Sequence, residues 1–282
     1  MKIKYYLPLF LSFFMIFFFA VVKIHAEIQE DADTPISFKP EMLSWEYVDN
    51  IIPNKSIFTI IDVEKGLSFK VQRRAGSHHA DVQLLTSKDT EIMKKIYDDE
   101  WSWNRRAIIV LTDDQMYAAS MTGMPHGRGV LKNNFPGHFC VHFYKSTTHR
   151  SQREDLAHQL MVMRAAGKLE DYLASIDPLT LLDVLKVAIN QKDRELLNMI
   201  LTESDMKNEL LELLHKFYFF QVDTDIQRKN LQEEWICEIP TTISYILKKG
   251  GKVKQNIHFV TLRQSISGRW LIDTDSLINE LQ

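Results

Sequence analysis

Histidine and cysteine side chains are concentrated in the middle of this chain. Seven of its ten histidines lie between His78 and His158, and one of its only two cysteines, Cys140, lies in the segment Gly137-His138-Phe139-Cys140-Val141-His142-Phe143. Side chains alternate between the two faces of an extended strand. The segment is therefore predicted to be a strand with one apolar, buried face and one face that carries His138, Cys140 and His142. A thiol beside imidazoles is what nucleophilic cysteine chemistry needs, because a nearby base or cation populates the reactive thiolate.

A second segment, Gly123-Met124-Pro125-His126-Gly127, offers a base for this thiol. Glycines on both sides of the Pro-His pair predict a tight turn that holds the imidazole out of the core. A cysteine and a histidine from separate segments form the minimal pair of nucleophile and base. We predict Cys140 as the nucleophile and His126 as its base, with His138 as the rival base and His142 as a further member of the site. The alternative is that Cys140 is a small core residue without chemistry.

The same histidines also fit a metal centre. His78-His79-Ala80-Asp81 adds imidazoles and a carboxylate, and a catalytic zinc ion needs only three protein ligands and one open position. The best ligands are predicted to be His79, Asp81, His126 and His138, although no His-Glu-x-x-His helix is present. Without a metal, the segment from His78 to Asp81 reads as a capped turn with solvated imidazoles.

The segment Trp101-Ser102-Trp103-Asn104-Arg105-Arg106 combines aromatic and cationic side chains. Arg105 and Arg106, together with Gly127, are candidates for substrate binding, because guanidinium groups bind carboxylates in a bidentate manner. For the two tryptophans, the favoured interpretation is that both point to one face of a strand and belong to the core.

Composition and the N-terminus restrict the partners and the compartment. The formal net charge is −3 and no block of lysines and arginines with interleaved aromatics occurs, so a nucleic-acid partner is not expected. Lys2 and Lys4 precede an apolar run over residues 5–22, which predicts a signal peptide or an uncleaved membrane anchor over residues 1–26. The rest of the chain is then expected outside the cytoplasm. There Cys140 and Cys237 could pair, although one bridge would not make a disulfide framework.

The pattern along the chain predicts an α+β protein with two domains. Residues 27–53 read as a spacer with a short docking segment at Trp45-Glu46-Tyr47-Val48. Residues 54–167 are predicted to be mostly β with flanking helices: a hairpin over 56–72, a helix over 86–97, strands over 106–111 and 116–121, the Cys140 strand and a helix over 155–166. Residues 168–282 are predicted to begin with helices over 178–201 and 205–220 and to continue with antiparallel strands in a cone-like sheet.

The order of these elements resembles the catalytic domain of L,D-transpeptidases. That family has a His-Gly followed about fifteen residues later by Ser/Thr-His-Gly-Cys-x-Arg or Asn. Here His126-Gly127 matches the first part and the segment from Gly137 to His142 matches the second in part. Gly137 stands where the family has Ser or Thr, Phe139 where it has Gly, and His142 where it has Arg or Asn. The resemblance covers roughly residues 55–166.

This resemblance implies an enzyme that acts on peptidoglycan stem peptides. His126 would be the general base, Cys140 would attack the carbonyl of an L-to-D peptide bond, and backbone amides near residues 138–140 would stabilise the oxyanion. Attack of an acceptor amine on the resulting thioester would crosslink two stem peptides, and attack of water would shorten one stem peptide. No cofactor is implied.

Two further resemblances concern other parts of the chain. The His-Ala-Asp, Gly-Met-Pro-His-Gly and Gly-His-Phe-Cys segments resemble those of exported proteins of Gram-positive bacteria, and this implies no activity. The layout of residues 168–282 is similar to nuclear-transport-factor-2-like domains, which implies an accessory module. Three classes of function thus stay open: a thiol enzyme of the cell wall, a metal-dependent hydrolase using zinc, and a non-catalytic protein that binds the wall, a peptide or a partner.

Overall fold

The computed structural model describes residues 39–148, 152–224, 234–247 and 250–282. The predicted signal peptide or anchor, the start of the predicted spacer and His149 lie outside these residues. Lys39–Gln282 form one compact unit. Among the described residues, no helix is both long enough and apolar enough to cross a membrane.

A closed six-stranded antiparallel barrel forms the first half of this unit, with the strand order β1-β2-β3-β6-β5-β4. The strands are β1 (Ile57–Asp62), β2 (Ser68–Ala75), β3 (Ala80–Leu84), β4 (Arg105–Thr112), β5 (Gln115–Thr122) and β6 (Phe139–His142). Alternate residues of the strands fill the barrel, and the largest of these side chains include Phe69 and Phe139. The other set of alternate residues faces outwards, which is why a polar site can lie on the outside of the barrel.

Three helices flank the barrel. In α1 (Trp45–Ile51), Trp45 and Val48 are buried in the barrel's hydrophobic cluster, so residues 39–53, part of the predicted spacer, pack against the fold. Helix α2 (Ser87–Ile96) begins with a capping box between Thr86 and Asp89. Helix α3 (Leu156–Ala165) begins with an Asp155 cap and packs on the outer face of β4 and β5.

The second half consists of helices followed by a curled four-stranded antiparallel sheet with the order β10-β9-β8-β7. The helices are α4 (Leu169–Ser175), α5 (Pro178–Gln191), α6 (Arg194–Ile200), α7 (Lys207–His215) and the C-terminal α8 (Thr274–Leu281). The strands are β7 (Phe217–Asp223), β8 (Ile236–Leu247), β9 (Lys252–Leu262) and β10 (Leu271–Ile272). One hydrophobic cluster includes α3, these helices, the inner face of this sheet and Ala107 and Ala118 of the barrel.

The α+β class and most predicted elements of the first half are confirmed, because caps and alternation are local signals. Three details were wrong. The predicted helix over 205–220 ends at His215, and Phe217 begins β7, which pairs with β8. The sequence pattern predicts separate strands over 235–239 and 243–248, whereas residues 236–247 form the single strand β8. Strand β3 was not predicted, because its first residues carry the polar pattern of a turn. The predicted boundary between 54–167 and 168–282 stays a prediction.

Candidate functional site

The candidate site lies on the outer face of β6 and β3. The predicted alternation is confirmed: Phe139 and Val141 face the barrel interior, and Cys140 and His142 face the other side. Asp81 of β3 lies directly opposite Cys140, and Ser120 of β5 lies directly opposite His142. Directly opposite residues of antiparallel strands share a face. The sheet therefore places a carboxylate beside the thiol.

Cys140 and His126 are in contact, as the sequence predicted for a nucleophile and its base. The Nε2 atom of His126 lies 3.2 Å from the Sγ atom of Cys140. The Nδ1 atom of His126 lies 2.9 Å from the carbonyl oxygen of Met124, which can only accept, so Nδ1 donates. In the neutral imidazole this leaves the lone pair on Nε2, facing the thiol. The backbone carbonyl thus holds the tautomer that can take the thiol proton.

Two glycines allow the segments of His126 and His138 to meet. The backbones of the two histidines are joined by reciprocal hydrogen bonds of 3.0 Å and 2.9 Å. Gly137 has φ +134°, and a Cβ atom there would lie 2.4 Å from the carbonyl oxygen of His126. Gly127 has φ +61°, and a Cβ atom there would lie 2.2 Å from the His138 ring. Larger residues would therefore push apart the two segments that carry Cys140 and His126, which are called the dyad.

Phe139 does not obstruct the site, although it stands where the L,D-transpeptidase pattern has glycine. Its ring is fully buried inside the barrel and packs on Phe69 and Phe135 at centroid distances of 6.3 Å and 5.8 Å. The backbone amide of His138 already donates to the His126 carbonyl, at 2.9 Å. An oxyanion hole would therefore have to use other donors near the thiol.

Asp81 and burial together keep the thiol of Cys140 protonated. The side chain of Cys140 is buried, and this burial is the main cause that raises the pKa of the thiol above its usual range. The Asp81 carboxylate, whose Oδ1 atom lies 3.7 Å from Sγ, raises the pKa of the thiol further. Cys140 is thus a protonated thiol, and any reaction of it as a nucleophile would need a base such as the adjacent His126 to take the proton.

The imidazoles of His79, His142 and His158 are stacked on one another and are called the histidine stack. The ring centroids of His79 and His142 are 4.2 Å apart, and those of His142 and His158 are 3.7 Å apart. Burial is the main cause that lowers the pKa of both His142 and His158 well below its usual value. The rings of His142 and His158 are therefore neutral near pH 7. The predicted solvated turn is wrong for His79, which is only 1% exposed.

The structure rearranges the predicted metal ligands. Asp81 Oδ1 lies 3.4 Å from His79 Nε2 and 3.8 Å from His138 Nε2, so three of the four predicted ligands are neighbours. The group whose ligand atoms all lie within 4.8 Å of one another, among the described residues, is instead His79, Cys140 and His142. Sequence reasoning placed Cys140 and His142 in the thiol site alone.

The predicted substrate-binding arginines are both engaged in ion pairs. Arg106 forms a bidentate pair with the buried Asp62, at 2.6 Å and 2.9 Å. The guanidinium of Arg105 lies 2.6 Å from the Asp155 carboxylate. Both line a cleft of about 830 Å³ together with Arg164 and Lys192. Gly127, the third predicted binding residue, lies on the exposed turn after His126.

The prediction that Trp101 and Trp103 share a core-facing strand was wrong. Neither residue lies in a strand, because the segment before β4 is irregular. Trp101 packs edge-on against Phe135 at 5.0 Å, whereas Trp103 is 52% exposed and its ring lies 5.3 Å from the ring of His126. An exposed aromatic surface thus borders the dyad.

Sequence reasoning also missed Gln83 and the contact of His158. The amide of Gln83 donates to the Gly137 carbonyl at 2.9 Å and accepts from the Val130 amide at 3.0 Å, which ties both segments of the dyad to β3. The Nδ1 atom of His158 lies 2.9 Å from Ser120 Oγ. Neither contact has a local signal, since each joins residues that are distant in the chain.

Cys140 and Cys237 are both free thiols in the structure. No disulfide therefore joins Cys140 to Cys237. Comparison with family models, curated proteins and solved structures gives no match for this chain.

Proposed function

We propose that this protein is a cysteine-dependent acyltransferase or peptidase of the L,D-transpeptidase type. The observation that carries the proposal is the 3.2 Å contact between Cys140 Sγ and a His126 ring whose tautomer is held by the Met124 carbonyl. The partial match to the family's motif, on the same two residues, supports it. The proposed substrate is a peptidoglycan stem peptide, and the proposed place of action is the cell wall, after export of the chain.

The reaction would begin with proton transfer. As Sγ of Cys140 attacks the substrate carbonyl, its proton passes to Nε2 of His126, and the carbonyl oxygen becomes the oxyanion of a tetrahedral intermediate. Collapse of the intermediate breaks the C–N bond. The leaving amine takes the proton from His126, and the acyl group remains on Cys140 as a thioester.

The second half of the reaction uses the same base. His126 removes a proton from an acceptor amine or from water, the nucleophile attacks the thioester, and Cys140 leaves with the proton from His126. An amine acceptor gives a new peptide bond and water gives a free carboxylate. One dyad therefore serves both transfer and hydrolysis.

Substrate access is proposed from the side of His126 and Trp103. His142 and His158 are buried, whereas His126 is half-buried and Trp103 is exposed. An indole ring can stack against a sugar or an amide plane at little conformational cost. Because Arg105 and Arg106 already pair with Asp155 and Asp62, a substrate carboxylate would have to compete with those acids.

The C-terminal half is proposed to be a nuclear-transport-factor-2-like accessory module. Its order of helices followed by a curled antiparallel sheet supports this likeness at the level of layout. It supplies none of the residues in contact with Cys140 that are described above.

The test is capture of the thioester. The purified full chain is incubated with a stem tetrapeptide, and the intact protein is analysed by mass spectrometry for an added acyl mass. We expect the adduct in the wild type and in Cys237→Ser, and its loss in Cys140→Ser. Cys237 is the matched control because it is the only other thiol. An adduct that persists in Cys140→Ser would refute the assignment of the nucleophile.

Metal-dependent hydrolysis remains the second candidate. It is favoured by the neighbouring positions of His79, Asp81 and His138. It predicts that hydrolysis of the stem peptide is abolished by a chelator and survives alkylation of Cys140. If neither a thioester nor chelator-sensitive hydrolysis is found, a non-catalytic binding role is favoured.

A further inference from the structure

Cys140 also lies beside two imidazoles other than that of His126. One ligand atom each from His79, Cys140 and His142 lie within 4.8 Å of one another, and all three side chains are buried. Tetrahedral zinc sites place N and S ligand atoms about 3.3 to 3.8 Å apart, given Zn–N and Zn–S bonds of about 2.0 and 2.3 Å. The rings of His79 and His142 are stacked with their planes 17° apart, so at least one ring would have to turn for a nitrogen lone pair of each to point at the same ion.

The two imidazoles present suitable nitrogen atoms. His79 Nδ1 lies 2.8 Å from the Thr147 carbonyl and so donates, which places the lone pair of the neutral ring on Nε2. His142 is 3% exposed, and its buried Nδ1 atom has no hydrogen-bond partner among the described residues. A buried nitrogen without a partner is costly in a folded protein, and a metal ion would satisfy it.

Asp81 lies beside two of these three ligands. Its Oδ1 atom lies 3.4 Å from His79 Nε2 and 3.7 Å from Cys140 Sγ. Its carboxylate is outside the group whose ligand atoms all lie within 4.8 Å of one another, so it would have to move to become the fourth ligand of a tetrahedral site. A thiolate, a carboxylate and two neutral imidazoles would carry a charge of −2 and neutralise a divalent ion. Such a closed set leaves no open position for a catalytic water.

We propose that His79, Asp81, Cys140 and His142 form a site for Zn²⁺ or a similarly soft divalent cation, and that its occupation silences the thiol. The metal bonds to Sγ, the thiol proton leaves to solvent, and the sulfur lone pair that would attack a carbonyl is engaged. The silencing of acyl transfer rests on the function proposed above, whereas the metal site itself does not. The thiol is then shared between His126 and the metal.

Alkylation of Cys140 by iodoacetamide in the full chain tests the proposal. Saturating Zn²⁺ should slow alkylation about tenfold or more, and a chelator should restore the rate. Mg²⁺ should have no effect, because a hard cation does not favour thiolate and imidazole ligands. In the Co²⁺-loaded protein, a thiolate-to-metal charge-transfer band should appear in the near ultraviolet and be lost in Cys140→Ser.

Two variants separate this site from the dyad. In His142→Ala, the rates of alkylation with and without Zn²⁺ should be equal, which shows that the protection by Zn²⁺ is lost. His126→Ala should alkylate slowly and keep the Co²⁺ band. The proposal would be overturned if Zn²⁺ still protected His142→Ala while His126→Ala lost the Co²⁺ band. It would also be overturned if the wild type showed neither protection by Zn²⁺ nor the Co²⁺ band. If His142→Ala does not fold, the Co²⁺ spectra of the wild type and Cys140→Ser decide. The alkylation rates and the Co²⁺ spectrum need no substrate. If they show the metal site but no thioester forms with the stem tetrapeptide, the proposed enzyme is rejected and the metal site is kept.

Discussion

Replacement of His126 by alanine is the sharpest test of the dyad. At its ordinary pKa of 9.0, a cysteine would be about 1% thiolate at pH 7, and burial and Asp81 reduce that fraction further. Any fast reaction of Cys140 near neutrality therefore depends on a base. Removal of the 3.2 Å contact from Nε2 should slow reaction about 10²-fold, the lower end of what general-base catalysis contributes.

The fold should survive this change. His126 is half-buried, and the contacts of its ring include the Met124 carbonyl, the thiol and the rings of Trp103 and His138. Loss of these contacts should cost about 1 to 2 kcal/mol of the free energy of unfolding. The assay is the second-order rate of alkylation by iodoacetamide from pH 6 to 9, with urea unfolding as the check on stability.

His138→Ala is the matched control. The ring of His138 lies beside that of His126 at 4.6 Å, but its Nε2 atom faces Asp81 at 3.8 Å, so we expect less than a threefold change in rate. If His138→Ala slows alkylation as much as His126→Ala, His138 is the base and the family resemblance misleads. If neither variant slows the reaction, Cys140 is a structural residue.

Three other measurements probe the surroundings of the thiol. Gly127→Ala should slow alkylation and lower the free energy of unfolding more than Gly66→Ala does. Both glycines have φ near +60°, but a Cβ atom at Gly127 would lie 2.2 Å from the His138 ring, whereas one at Gly66 would meet nothing within 4 Å. Urea unfolding of both variants compares their stabilities. The pKa values of His142 and His158 are lowered in the folded state by burial, so the unfolded chain binds more protons and the free energy of unfolding should fall as pH drops below about 6.5; a constant value from pH 7 to 5 would contradict the buried neutral rings. Asp81→Asn removes a charge that raises the pKa of the thiol, so alkylation of the folded protein at pH 7 should accelerate, about tenfold for each unit by which that pKa falls; a slower reaction would mean that the carboxylate assists the base.

Local signals explain why much of the barrel, and the pair formed by Cys140 and His126, could be predicted. The alternation around Cys140 fixes which side chains leave the core, and the capping residues Thr86 and Asp155 mark where two helices begin. The glycines beside His126 indicate a turn. These features depend on neighbours within a few residues, which a sequence displays directly.

The rest of the site depends on contacts between distant residues. Asp81 reaches the thiol only because β3 pairs with β6 in a register that places it opposite Cys140, 59 residues later in the chain. His79 was expected in solvent because its segment has the composition of a turn, yet pairing carries it beneath His142. The pairing of Arg106 with Asp62 likewise joins two strands, so a motif that favoured substrate binding serves to neutralise a buried carboxylate.

The buried side of the site has a physical consequence for any reaction at Cys140. Burial and the Asp81 carboxylate both raise the pKa of the Cys140 thiol, and the His142 ring near it is neutral, so its surroundings do not favour a free thiolate. Under the two proposals made above, the thiol would lose its proton near neutral pH either by transfer to His126 or by coordination to a cation. In the first case it would react with a substrate that approaches past the exposed Trp103, and in the second it would be held on the ion beside the buried His79 and His142. The competition between these two events, more than the basicity of the thiol alone, would set its reactivity.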